Sequence, residues 1–174
     1  MCEIALQIPT ARHTMAAEIY RKDFLHHGEY MEENINPAWP QAYNNWLGNS
    51  YRNSIETTAS KDWVPTTTFF AVRKEDNKII GNTTIRHNLE QDILREYGGH
   101  IGYAVCPSER SKGYGTTILE LALEQSHGLG LDRVMLSCKK NNIASRRIIE
   151  KCGGVFEREI QKDDQNILIY WISI

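Results

Sequence analysis

Arg110-Ser111-Lys112-Gly113-Tyr114-Gly115-Thr116 brings together two cations, three hydroxyls and two closely spaced glycines. Gly113 and Gly115 carry no Cβ, so successive N–H groups can point the same way there and a ligand can come close. An apolar helical pattern, Thr117-Ile118-Leu119-Glu120-Leu121-Ala122-Leu123, follows at once. The first amides of a helix have no internal acceptor, and its dipole adds roughly half a positive charge. The chemistry implied is the holding of an anion, phosphate above all.

Three phosphate-binding turns need to be separated. A P-loop has its Lys after the second glycine, whereas Lys112 precedes both glycines here. A dinucleotide fingerprint needs a third glycine and a strand directly before the turn, and Thr116-Thr117-Ile118 supplies no such glycine. What stands is Arg-x-x-Gly-x-Gly, preceded by Gly102-Tyr103-Ala104-Val105-Cys106-Pro107.

The elements around the turn must position it. Residues 100–105 read as a strand that Pro107 stops, and residues 133–138, after the helix and the stop at Gly128 and Gly130, read as another. Strand, helix and strand in that order imply a parallel pair. Asn142 caps a short helix over residues 143–152, which Gly153-Gly154 ends. Upstream, residues 4–8 are a first strand, and Met15, Ala16, Ile19, Tyr20 and Phe24 recur at helical spacing. A second helix over residues 41–51 carries Tyr43, Trp46 and Leu47. Residues 67–72 and 78–85 form a hairpin about Glu75-Asp76-Asn77, a loop spans 88–99, and residues 155–160 and 167–174 close the chain as a second hairpin. The order βααβββαβαββ predicts an α/β fold with a mixed sheet and helices on both faces.

Composition narrows the function. A chain of 174 residues with 41% hydrophobic content suits one domain over residues 1–174. A net charge of −2, with no run of four Lys or Arg, gives no general attraction to nucleic acid. Cys2, Cys106, Cys138 and Cys152 lack C-x-x-C spacing and read as small core residues. No apolar leader or bilayer-length run is seen, so no membrane partner is expected and the setting is cytoplasmic. No His/Cys spacing suggests a metal. Glu29, Glu32 and Glu33 read as a solvated face or as the wall of a site for a cation, and Trp39, Tyr43 and Trp46 as packing or an acceptor pocket.

The turn, its strand and helix, and Asn142-Ile143-Ala144-Ser145 with Glu150-Lys151-Cys152-Gly153 together resemble the Gcn5-related N-acetyltransferase (GNAT) superfamily, most of all its bacterial members of undefined acceptor. The resemblance spans residues 69–156 and is strongest over 98–154. It implies the acyl-coenzyme A fold with two splayed central parallel strands, and acetyl-CoA as cosubstrate without a metal. It assigns amides from Arg110, Ser111, Lys112, Gly113, Tyr114, Gly115 and Thr116 to the pyrophosphate, with side-chain charge added by Arg110 and Lys112. The Ala104-Val105 backbone is assigned to the pantetheine arm, an N–H near Val105 to the thioester carbonyl, and Asn142 and Ser145 to the coenzyme. The implied activity is transfer of acetyl to a primary amine, on a small molecule or a peptide, by direct attack; the alternative is a silent acyl-CoA sensor. The apolar last strand leaves a homodimer open.

The departures from the family pattern concern proton transfer. The family's catalytic glutamate aligns with Gly99, so His100 beside it is taken as the candidate base, with His87 as a second. On a regular strand His100 points away from the face of position 99, unless the strand bulges. The family's acidic tyrosine falls at Ile149, leaving Ser145, through a water, or Tyr170 to protonate the thiolate.

Overall fold

The computed structural model describes residues 3–29 and 41–174. Its elements are β1 (Ile4–Gln7), α1 (Thr14–His26), α2 (Gln41–Asn53), β2 (Thr66–Arg73), β3 (Ile79–Arg86), β4 (Ile101–Val105), α3 (Tyr114–Gly128), β5 (Arg133–Lys139), α4 (Ile143–Lys151), β6 (Val155–Lys162) and β7 (Gln165–Ser173). This is the expected order. Glu32, Glu33, Trp39 and Cys2 lie outside the described residues.

The strands form two antiparallel sheets, β1-β2-β3-β4 and β5-β7-β6. β2 and β3 are buried along almost their whole length because helices cover both faces. Alternation on β2 sends Phe70 and Val72 to one side, where they meet Tyr20, Phe24 and Tyr43 of α1 and α2. It sends Phe69 and Ala71 to the other, where Leu119 and Ile118 of α3 cover them. β6 is an edge strand, and Val155 and Phe156 at its start are more than half exposed.

β4 and β5 meet at one end only. His100, just before β4, donates its N–H to the Met135 carbonyl at 2.7 Å. Beyond that point no ladder joins the strands, yet Gly102–Ala104 and Ser137–Lys139 line one cleft. The two strands therefore run the same way and diverge, so the parallel pair read from the sequence is a splay between two sheets.

Three expectations are corrected. On α1 the buried stripe is Ala17, Tyr20 and Phe24, while Met15 and Ile19 are 80% and 59% exposed, because the stripe is turned by about one residue from the one read off the sequence. Residues 88–99 are not a simple loop, since Leu94–Gly98 coil into a π turn. Arg158 donates to the Arg95 and Glu96 carbonyls and the Lys162 ammonium sits over the Tyr97 ring, so this turn is tied to β6. The β6 and β7 strands reach farther into their turn than read, to Lys162 and back from Gln165, because Asp163 takes a positive φ of 51° that closes the hairpin tightly.

Candidate functional site

Two cavities adjoin in the splay. One, of about 670 Å³, runs from β4 over the glycine turn to α4. The other, of about 710 Å³, lies between β4 and β5 and is walled by Trp63, Arg86, Tyr97 and Lys139. Both are lined by Glu29, Tyr103, Ala104, Arg110, Asn142 and Ser145, which mark where one opens into the other.

The glycine turn has the geometry that an anion needs. Gly113 is left-handed at φ 86° and is the N-cap of α3, so Tyr114 and Gly115 begin the helix with amides that have no acceptor a turn back. The Thr116 N–H reaches the Gly113 carbonyl at 3.2 Å, a tight first turn. Ser111 is also left-handed, at φ 62°, which turns the chain into the site. A Cβ on Gly115 would lie 2.6 Å from Ile148 Cδ1 of α4, so that side-chain end would have to shift to admit one. Tyr114 turns its ring into the core against Ile80 and Ile118, so only its main chain faces the cavity.

β4 has an edge that no strand of the described residues covers, with the Val105 carbonyl on it accepting from Arg110 Nε. Cys106 N–H donates to the Ile80 carbonyl on β3, so alternation directs the polar groups of Val105 and Tyr103 into the cleft. An extended ligand can add there as a strand, as the assignment of Ala104 and Val105 requires.

Two side chains expected on phosphate are engaged elsewhere. Arg110 donates from both terminal nitrogens to Glu29 at 2.5 and 2.7 Å and from Nε to the Val105 carbonyl at 3.2 Å, with its guanidinium 5.9 Å from the Phe24 ring centre. Lys112 Nζ donates to Glu109 at 2.9 Å, a buried carboxylate that Arg73 and Lys78 also contact. Arg147 of α4, which the sequence reading did not select, does line the cavity over the glycine turn.

Asn142 Oδ1 accepts the Ser145 N–H at 3.1 Å, so it caps α4 while its amide group lines the cleft. Ser145 Oγ lies 3.1 Å from Tyr103 Oη. Burial pushes the Tyr103 phenol up to about 12, and the Ser145 bond works against that rise. Tyr103 was missed in the sequence. Period-2 alternation does place it on the α3 and α4 side of β4 with Ile101 and Val105, a signal available for an aromatic that ends in a hydroxyl.

No histidine of the described residues lines either cavity. His100 is 6% exposed, its Nδ1 accepts the Met135 N–H at 2.9 Å, and its ring meets Trp171 edge-on. Burial, with Arg86 and Arg133 nearby, lowers its pKa to about 4. A ring so held is a poor base, and it lines neither cavity. The β3–β4 register runs without a shift, and His100 just before β4 divides its main chain between two strands, its N–H going to β5 while its carbonyl accepts from Arg86 on β3. Gly99, at φ 67°, has no room for the family glutamate: a Cβ there would lie 2.6 Å from the Met135 carbonyl oxygen. His87 contacts Thr67 Oγ1 at 2.8 Å, and Tyr170 donates to Glu150 at 3.2 Å; neither lines the cleft.

The family model described as an acetyltransferase (GNAT) domain matches residues 9–155. The fold is similar to the ribosomal-protein-S5-alanine acetyltransferase of Vibrio fischeri, with TM-score 0.75 and 16% identity over 98% of this chain and 92% of that one. It is similar to the microcin C7 self-immunity acetyltransferase MccE, solved with acetyl-CoA and AMP, with TM-score 0.71 and 18% identity over 99% and 93%. RimJ of Mycobacterium smegmatis, solved with CoA-disulfide, gives 0.69 and 19% over 98% and 81%. Among curated protein sequences none matches the chain.

Proposed function

The chain belongs to the acetyltransferase (GNAT) family, and from that premise we propose that it transfers acetyl from acetyl-CoA to a primary amine by direct attack within a ternary complex. The observation that carries this is the pair of adjoining cavities meeting at Tyr103, Ala104, Asn142 and Ser145, one suited to a coenzyme and the other to an acceptor. Solved neighbours that hold acetyl-CoA or CoA-disulfide support the choice of coenzyme.

Acetyl-CoA lies with its phosphates at the amides of residues 111–116 and its pantetheine along Ala104-Val105. The Val105 N–H points at the thioester carbonyl, where negative charge grows as the amine attacks; such a donor is worth roughly 3 kcal/mol. An aliphatic amine of pKa about 10.4 is neutral in only about one molecule in 2,500 at pH 7, which costs about 4.6 kcal/mol. Glu29 is the one carboxylate of the described residues that lines the acceptor cavity, and the Arg110 hydrogen bonds hold its pKa below the usual range. It is too weak a base to take the proton, so water carries the proton away.

The C–N bond forms, the C–S bond breaks and the electron pair goes to sulfur. An alkyl thiol has pKa about 8.5, well below a phenol near 12, so full transfer of the Tyr103 proton to sulfur would be uphill. Tyr103 therefore acts as a hydrogen-bond donor to the sulfur as charge builds, oriented by Ser145. The proton that ends on sulfur is the one the nitrogen sheds through water. The free thiols Cys106, Cys138 and Cys152 suit a reducing, cytoplasmic setting.

The neighbours supply only a starting panel of acceptors: peptides carrying Ala or Ser, to which amino acids and small amines are added. Acetyl-CoA is mixed with each and free thiol is followed. Release above hydrolysis with at least one amine is expected. Tight coenzyme binding with no release from any amine replaces the transferase by a sensor.

A further inference from the structure

We propose that His100 is a positioning residue: its N–H and its Nδ1 together clamp the main chain of Met135, fixing the vertex from which β4 and β5 diverge and so setting the opening of the coenzyme cleft. The inference rests on the acetyl-CoA reading for the identity of what fills the cleft, but the clamp itself stands on geometry.

At the point where the strands meet, every main-chain polar group must find a partner, because Met135 is 1% exposed and water is excluded. The Met135 carbonyl accepts from His100 N–H at 2.7 Å. The His100 carbonyl is already used by Arg86 N–H at 2.8 Å. In a regular parallel pair with the His100 N–H on the Met135 carbonyl, the Met135 N–H would take the carbonyl of Gly98, which here accepts from Arg86 instead. His100 Nδ1 takes the Met135 N–H, at 2.9 Å. The imidazole thus stands in for that carbonyl and leaves no orphaned buried donor.

Gly99 makes this possible. Its φ of 67° turns the chain so that residue 100 gives both a main-chain donor and a side-chain acceptor to Met135, and its missing Cβ leaves the Met135 carbonyl space to approach. Arg86 donates to the Gly98 and Gly99 carbonyls at 3.3 and 3.1 Å and braces the vertex from β3. From there β4 and β5 part, and the Val105 end of the β4 edge opens toward the glycine turn. A small rotation at the vertex is magnified at that end, where the coenzyme must be gripped.

The accepting Nδ1 requires the neutral ring protonated on Nε2. The groups around the ring are Arg86 of β3, Arg133 of β5 and the uncharged Trp171 of β7. Both ionised neighbours are cations, so the ring has strong reason to stay neutral. Its folded pKa, near 4, lies below the unfolded value of 6.5. The stabilisation is therefore complete above about pH 6.5 and is lost as the pH falls toward 4. From pH 7 to pH 5 the unfolding equilibrium should move by roughly twentyfold through this one group.

His100→Asn keeps an acceptor close to the place of Nδ1 and cannot titrate, whereas His100→Leu keeps bulk and removes the acceptor. Coenzyme A affinity is measured by calorimetry at pH 7.5, and stability by denaturant unfolding from pH 7 to pH 5, for the three proteins. The expected result is affinity within about threefold of wild type for His100→Asn and a loss of about tenfold or more for His100→Leu, on the scale that misplacement of a bound group produces. Wild type should lose stability across that pH range more steeply than His100→Asn. The clamp is overturned if His100→Leu binds coenzyme A as wild type does, or if His100→Asn and wild type share one pH profile; the latter test holds even if His100→Leu does not fold. If wild type binds no coenzyme A at all, the acetyl-CoA reading falls, and the pH comparison still decides the clamp.

Discussion

On the proposed acetyltransferase reading, the two arms of the cleft would recognise their ligands by different means. Apart from Glu29, the coenzyme arm is built from one contiguous stretch, residues 103–148, and what it presents is mostly main chain: the edge of β4, the amides that open α3 and the cap of α4. The acceptor arm takes Phe24, Glu29, Trp63, Tyr97, Lys139 and Ile167 from segments far apart in sequence, and what it presents is side chains. Main-chain recognition depends on local backbone geometry, which glycine, proline and helix starts encode within a few residues. Side-chain recognition depends on which distant segments the fold brings together. Mutations should accordingly hurt the first arm through backbone conformation and charge, and the second through individual contacts.

The sharpest contrast is expected at Gly113. Gly113→Glu puts a negative charge where phosphate must sit and forces a left-handed φ on a side chain, so coenzyme A affinity should fall by about a hundredfold or more. Gly113→Asn imposes similar strain without charge and on a residue that tolerates this conformation, so it should lose far less. Calorimetry on the two variants separates backbone from charge; equal affinity for both would remove the turn from phosphate binding.

Next in size is Tyr103, at the junction of the arms. Tyr103→Phe removes only the hydroxyl, and a hydrogen bond to a developing charge is worth about 1.5–3 kcal/mol, so kcat should drop about 10- to 100-fold with coenzyme affinity little changed. A parallel loss of affinity would mean that the hydroxyl holds structure rather than sulfur. A smaller change is expected at Glu29, whose charge faces both cavities. Glu29→Gln removes a negative charge near an anionic ligand and frees Arg110, so coenzyme A should bind about two- to fivefold more tightly at low salt, with the gain fading as salt rises. Weaker binding would show that the ion pair organises the arm.

What was legible in the sequence follows the same division. The element order, the glycine turn, the Asn142 cap and the parallel sense of β4 and β5 could be read because each is local or follows from strand, helix and strand in succession, whereas the splay was implied only by the family resemblance. The carboxylates that engage Arg110 and Lys112 were not legible, because spacing says that a cation is near the turn but not which carboxylate reaches it; Glu29 and Glu109 do so from positions 81 residues and three residues away. His100 was read as a base because an imidazole beside the place of a missing glutamate suggests proton transfer. Only the fold shows that Gly99 turns it toward Met135. Tyr97 and Trp63 carried no signal at all, as aromatics in polar segments whose partners lie across the cleft.

The smallest effect should come from Lys112, and it tests the division from the opposite side. Lys112 sits inside the phosphate turn and was assigned to phosphate, yet its ammonium is on Glu109, which already has Arg73 at 3.2 Å and Lys78 at 2.6 Å. Glu109 is 4% exposed; burial favours its neutral form, but the Lys112 and Lys78 bonds outweigh that and hold its pKa below the ordinary value. Its stabilisation is thus present above the unfolded carboxyl range and is lost as the pH falls. Lys112 is half exposed and is one of three partners, so Lys112→Ala should cost less than about 1 kcal/mol of stability and change coenzyme A affinity by less than about twofold. Lys78→Ala, which removes the shortest bond to the same carboxylate, should cost more stability and make unfolding more sensitive to acid. If Lys112→Ala instead weakens coenzyme A tenfold with stability intact, the ammonium leaves Glu109 for the ligand, and the coenzyme arm relies on side chains as much as the acceptor arm does.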